Sequence, residues 1–119
     1  MTISQKSRII KIKDKLPSSF RITAKVVYRL YFGGTMSTPE TLAEVDLDNK
    51  CIYIRDDLSE RDTLKALIHE LIHALDFEHE TAVVEGVRFK KKKGDYLTER
   101  QTCALEHALF HFLRLNKWL

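Results

Sequence analysis

Cysteine, proline and glycine are scarce in this chain of 119 residues, which holds two cysteines, two prolines and four glycines. Cys51 and Cys103 form no C-x-x-C pair and exclude a disulfide framework, so both are expected as reduced thiols. With so little proline and glycine there is no repeat and no low-complexity segment apart from one lysine run. No uninterrupted apolar stretch of about 18 residues exists, which excludes a membrane-spanning helix. Met1 to Leu16 scatters lysines among isolated isoleucines and lacks the apolar block of a signal peptide. Charge of one sign is also in short supply: the net charge is +3, much of it from Lys90 to Lys93. These absences leave one small domain, residues 1 to 119, expected to be soluble and cytoplasmic.

What is present is His69-Glu70-Leu71-Ile72-His73, an H-E-x-x-H motif inside a helix-forming stretch. Positions four apart on an α-helix lie roughly 40° apart around the axis, so both imidazoles project from one face and can bind a single ion. Zinc suits that donor pair, and Glu70 is close enough to act as general base on a water at the metal without being a ligand. The surroundings agree. Ser59 with Asp62 resembles a capping box that starts a helix at about Glu60, and Leu64, Leu67, Ile68, Leu71, Ile72 and Leu75 recur at helical spacing.

Elsewhere the pattern predicts a first helix from residue 3 to about 16, stopped by Pro17, and a strand from Phe20 to Leu30. A loop follows from Gly33 to Pro39. Leu42 to Leu47 alternates apolar with polar, Asp48-Asn49 is a turn pair, and Cys51 to Ile54 continues as a strand, which together predict an antiparallel hairpin. Residues 79 to 94 are ambiguous and read as partly loop. Within them Lys90 to Lys93 read as an exposed turn or hairpin tip, because no aromatic residues interleave the charges to stack on bases. From about Leu97 to Leu115 a last helix is expected, with Thr98 as its cap. The fold class is α+β, a small antiparallel sheet over the motif helix and a C-terminal helix.

A hydrolytic zinc site needs a third protein ligand and an open position. Three residues compete for it. Glu99 stands in the first turn of the last helix, far enough along for the chain to reverse and face the two histidines. His79 reproduces the histidine spacing of H-E-x-x-H-x-x-G-x-x-H, with Asp76 where that motif places glycine. Glu106 is two helical turns beyond Glu99. Asp76 is also placed to hold an imidazole as a supporting carboxylate, while His107 and His111, four apart, read as a partly exposed face.

Three segments, His69 to His73, the approach Asp56-Asp57-Leu58-Ser59, and Glu99-Arg100-Gln101-Thr102, give the chain its family likeness. It resembles zincin metallopeptidases of the gluzincin type, most closely the compact, often phage-associated ImmA/IrrE-like proteins and the minigluzincins. The resemblance covers roughly residues 42 to 115. It implies that a glutamate of the later helix, Glu99, completes the zinc site with His69 and His73. It further implies that Glu70 takes a proton from the activated water and hands it to the leaving amine, and that Leu42 to Val45 is an edge strand receiving an extended substrate. Tyr53, Tyr96 and His107 are candidate oxyanion donors. Where the family's later helix continues with small residues and an Asn or Asp, this chain has Thr102-Cys103.

The function expected is therefore a zinc-dependent endopeptidase acting on a protein or peptide substrate, with neither nucleic acid nor a membrane as partner. The alternative is a latent zinc-binding domain serving as an interaction module, its Trp118-Leu119 end folded back over the metal.

Overall fold

The computed structural model describes residues 15 to 34 and 36 to 118. The helix expected over residues 3 to 16 lies almost wholly outside them. Six strands and two α-helices follow in the order β1 (Ser19–Arg21), β2 (Val27–Phe32), β3 (Ala43–Asp46), β4 (Cys51–Ile54), α1 (Glu60–Glu78), β5 (Thr81–Val84), β6 (Val87–Lys90) and α2 (Glu99–Leu115). The fold is α+β.

Phe20 to Leu30 is not one strand but two. Thr23 Oγ1 accepts the N–H groups of Lys25 and Val26, and the Ile22 N–H donates to the Val26 carbonyl, which folds the chain back so that β1 pairs antiparallel with β2. A hydroxyl one residue after an isoleucine thus overrides local β preference. The main sheet has the order β1-β2-β4-β3 and is mixed rather than purely antiparallel: β2 runs parallel to β4, and only β3–β4 is the expected hairpin. The reason lies after β2. Gly33 and Gly34, at φ of 90° and 93°, turn the chain out of the sheet. It crosses to the far edge as β3 before β4 returns to the centre.

Helix α1 begins where capping predicts, with Ser59 Oγ accepting from the Asp62 N–H at 3.1 Å. Its apolar residues serve two layers. Ala66, Leu67, Leu71 and Ala74 pack on the sheet core of Tyr28, Leu30, Ile52 and Ile54, whereas Leu64, Ile68 and Ile72 pack against Phe110 and Leu113 of α2. Leu75 belongs to neither and is exposed. The far end of α1 is tied to the β3–β4 turn by Lys50, whose ammonium reaches Glu78 Oε1 at 2.8 Å and lies 5.2 Å from the Phe77 ring centroid. α2 meets α1 along Thr102, Glu106, Phe110 and Leu113, leaving Leu105, Leu109 and Phe112 exposed on its outer side.

The ambiguous segment 79 to 94 is largely a β5–β6 hairpin. Its tip is Glu85-Gly86, both residues at positive φ, as a two-residue turn between right-twisted strands requires. The lysines therefore stand at the base, not the tip, and Lys91 is turned inward. Among the described residues no helix is long and apolar enough to cross a membrane. Ser59→Ala removes the hydroxyl that starts the central helix and is expected to cost about 1 kcal/mol, read as a lower urea midpoint with an unchanged slope.

Candidate metal centre

His69 and His73 stand a helical turn apart on α1, and α2 runs back beside it so that Glu99, in its first turn, faces them. The three ligand atoms lie within 4.8 Å of one another. His69 Nε2 is 2.7 Å from Glu99 Oε1, His73 Nε2 is 2.9 Å from Glu99 Oε2, and the two Nε2 atoms are 3.1 Å apart. Ligands bonded at about 2.0–2.1 Å in a tetrahedron stand about 3.3–3.4 Å apart, which falls inside the 4.8 Å within which these atoms lie. Two imidazole nitrogens and a carboxylate aimed at one point are the donor set zinc takes. Without a cation at that point, protonating both imidazoles at Nε2 to satisfy the carboxylate would drive two N–H groups together.

The other nitrogen of His69 strengthens this fit. Nδ1 is 3.3 Å from Glu106 Oε1, and Lys65 Nζ stands 3.7 Å from Glu106 Oε2. A carboxylate at Nδ1 favours the proton there and leaves the Nε2 lone pair free for a metal. Glu106 thus supports a ligand instead of being one. Glu99 is 67% exposed, so the converging atoms are reachable from solvent and a position remains open.

Glu70 lines a cavity of about 390 Å³ together with Leu42, Ala43, Lys65, His69 and Glu99. It is 7% exposed. Burial pushes its carboxyl up to about 7; His69 opposes the shift, while Glu99 and Glu44 add to it. Cys103, four residues after Glu99, also lines this cavity, and desolvation followed by the Glu99 and Glu106 charges raises its thiol above the ordinary value.

The remaining candidates lie elsewhere. α1 continues unbroken through Asp76, which carries His79 roughly 120° round the axis from His73. There its Nε2–H donates to the Ile22 carbonyl at 3.1 Å and its backbone N–H closes the helix on Leu75. His107 and His111 contact each other edge to face, Tyr53 stacks on Tyr31, and Tyr96 lies under the Lys91 ammonium. None of these lines the cavity. Trp118 packs against Phe112, about 20 Å along α2 from Glu99, so it does not cover the cluster.

Asp76 holds no imidazole either. Its Oδ2 accepts the Leu97 N–H at 2.8 Å, while Lys91 Nζ donates to its Oδ1 at 2.9 Å and its carbonyl at 2.8 Å. This clamp fixes the chain two residues before Glu99, and Thr98 then caps α2 with its side chain on the Gln101 N–H. Glu99 is thereby delivered from the end of the same helix that carries the histidines. Sequence reading missed Lys91 because it sits inside a run of solvated lysines; Lys65 gave no signal beyond its place one turn before His69.

Comparison with protein-family models, with curated proteins and with solved structures returned no match for this chain.

Two outcomes are expected. Lys91→Ala leaves the Asp76 carboxylate unpaired at a nearly closed site and should cost roughly 3 kcal/mol in urea unfolding, against less than about 0.5 kcal/mol for exposed Lys92→Ala. In metal-free protein, Glu70 binds a proton more tightly folded than unfolded. Its burial is then harmless below the ordinary carboxylate value and costs progressively more as pH rises to about 7. Glu70→Gln should therefore be stabilising by about 3 kcal/mol at pH 8, with the gain vanishing at pH 4, as followed by thermal melts.

Proposed function

We propose that this chain is a zinc-dependent endopeptidase of zincin type, cleaving peptide bonds in a protein or peptide substrate. One observation carries the reading: His69 Nε2, His73 Nε2 and the Glu99 carboxylate converge on a solvent-open point, with a buried carboxyl of raised pKa in the adjoining cavity wall. A zinc ion held there supplies Lewis acidity toward a carbonyl oxygen and makes a water molecule acidic near neutral pH. His69 and His73 bind through Nε2, and Glu106 orients the first of them from behind. Glu70 receives the proton from the attacking water and returns it to the departing amine nitrogen. A buried carboxyl beside the cluster is suited to both halves of that transfer.

Two further features fit an extended polypeptide. Among the described residues β3 is an edge strand of the main sheet, and Leu42 and Ala43 at its start line the same cavity. An added strand there would satisfy the unpaired backbone groups of that edge and carry a scissile bond past the histidines. Both cysteines are free thiols, which suits an intracellular setting.

Purified protein is expected to bind zinc, and Glu70→Gln to retain it while kcat for peptide hydrolysis falls roughly 10²–10⁴-fold. Glu99→Ala should release the metal and His79→Ala should not. Full proteolysis by Glu70→Gln would point to a different base, and zinc binding without proteolysis by the parent protein would point to the module reading. Zinc loss on His79→Ala, with none on Glu99→Ala, would remove the proposed site.

A further inference from the structure

At the end of the helix pair opposite Glu99 lies a second cluster, built around Phe110. That ring is 1% exposed, yet it floors a cavity of about 450 Å³ whose other walls are Arg61, His111, Arg114 and Leu115. Cations surround it. The guanidinium carbon of Arg114 is 5.7 Å from the ring centroid, Lys65 Nζ 5.8 Å and the guanidinium carbon of Arg61 6.0 Å, and the His111 ring meets it edge on at 5.9 Å. Lys65 has Glu106 as a counter-charge. Among the described residues no carboxylate lies within ion-pair distance of Arg61 or Arg114.

An aromatic face attracts an exposed cation only weakly, which does not neutralise two guanidiniums held at one cavity. An oxyanion does, because each planar fork presents paired donors at carboxylate spacing. The antiparallel packing explains how both arginines reach this cavity: Arg61 is in the first turn of α1 and Arg114 in the last turn of α2.

We propose that this cavity binds the carboxylate of an acidic side chain in a polypeptide lying along the α1–α2 groove. The polypeptide source, rather than a nucleic-acid phosphate, follows from Lys65. It lines the cavity beside the metal cluster and also stands over the Phe110 ring, so the two cavities adjoin. From Arg61 to His69 is about 12 Å along α1 at 1.5 Å per residue, the span of about four residues of extended chain. A substrate crossing the metal cluster would place an acidic residue about four positions from the bond to be cut over Phe110. That distance argument rests on the peptidase reading; the carboxylate site itself does not require turnover.

The test uses the full chain as Glu70→Gln, loaded with zinc so that nothing is cleaved, and two labelled short peptides identical except for Glu-rich and Gln-rich composition. Fluorescence anisotropy is expected to give the Glu-rich peptide at least about tenfold tighter binding, a preference that shrinks as salt is raised. Adding Arg61→Gln and Arg114→Gln, both at exposed positions, should erase the preference while circular dichroism and Gln-rich peptide binding stay unchanged. Equal affinities for the parent protein overturn the site, as does a preference that survives the double substitution. Displacement of the Glu-rich peptide by single-stranded DNA at lower concentration than by unlabelled peptide also overturns it, by assigning the arginines to phosphate. If wild-type protein hydrolyses nothing while the acidic preference stands and falls with the two arginines, the peptidase reading alone fails.

Discussion

Burial of α1 on two faces, about 120° apart round its axis, is the constraint on which the rest depends. The sheet takes Ala66, Leu67, Leu71 and Ala74, and α2 takes Leu64, Ile68 and Ile72, so polar side chains are tolerated only along the strip where these layers part. His69 and His73 occupy that strip, half-buried and unable to turn outward into free solvent. Because α2 closes one side of it, a carboxylate from α2 is the nearest group that can complete the pair. The same double burial leaves Glu70 only 7% exposed, which is why its carboxyl resists ionisation.

Much of this was legible in the residues. Ser59 and Thr98 announced both helix starts, because a hydroxyl at an N-cap satisfies backbone donors wherever the chain goes next. The 3.6-residue period placed His69 and His73 together, and Glu99 fell into place because α2 returns antiparallel. The failures were of two kinds. The Thr23 reversal and the Glu85-Gly86 tip were signals present in the sequence but outweighed by apolar runs around them. The parallel β2–β4 pairing and the roles of Glu106, Asp76 and Lys91 are set by contacts between residues distant along the chain, which periodicity does not encode. The outward Leu105, Leu109 and Phe112 show the same limit from the other side: helical spacing reports an apolar face without saying which face is used.

Charges around the cluster are arranged in a chain of dependence. Lys65 offsets Glu106, Glu106 faces His69, His69 and His73 face Glu99, and Asp76 with Lys91 holds the segment that delivers Glu99. Glu70 differs from these carboxylates in being nearly buried and in having its shift governed by desolvation. Acidic groups that bind and the acidic group suited to moving a proton are thus separated by environment, not by residue type.

The β5–β6 hairpin is paired chiefly with itself and packs extensively against no other described element. Such a two-stranded unit has little stability of its own, so its tip opens locally at lower cost than the packed helix pair. Its tether is Lys91, at its base, held by both the carboxylate and the carbonyl of Asp76. Fluctuation at the tip is therefore absorbed before it reaches the helix pair, and the length and sequence of the Glu85-Gly86 turn are free to vary without disturbing the point where the histidines and Glu99 meet.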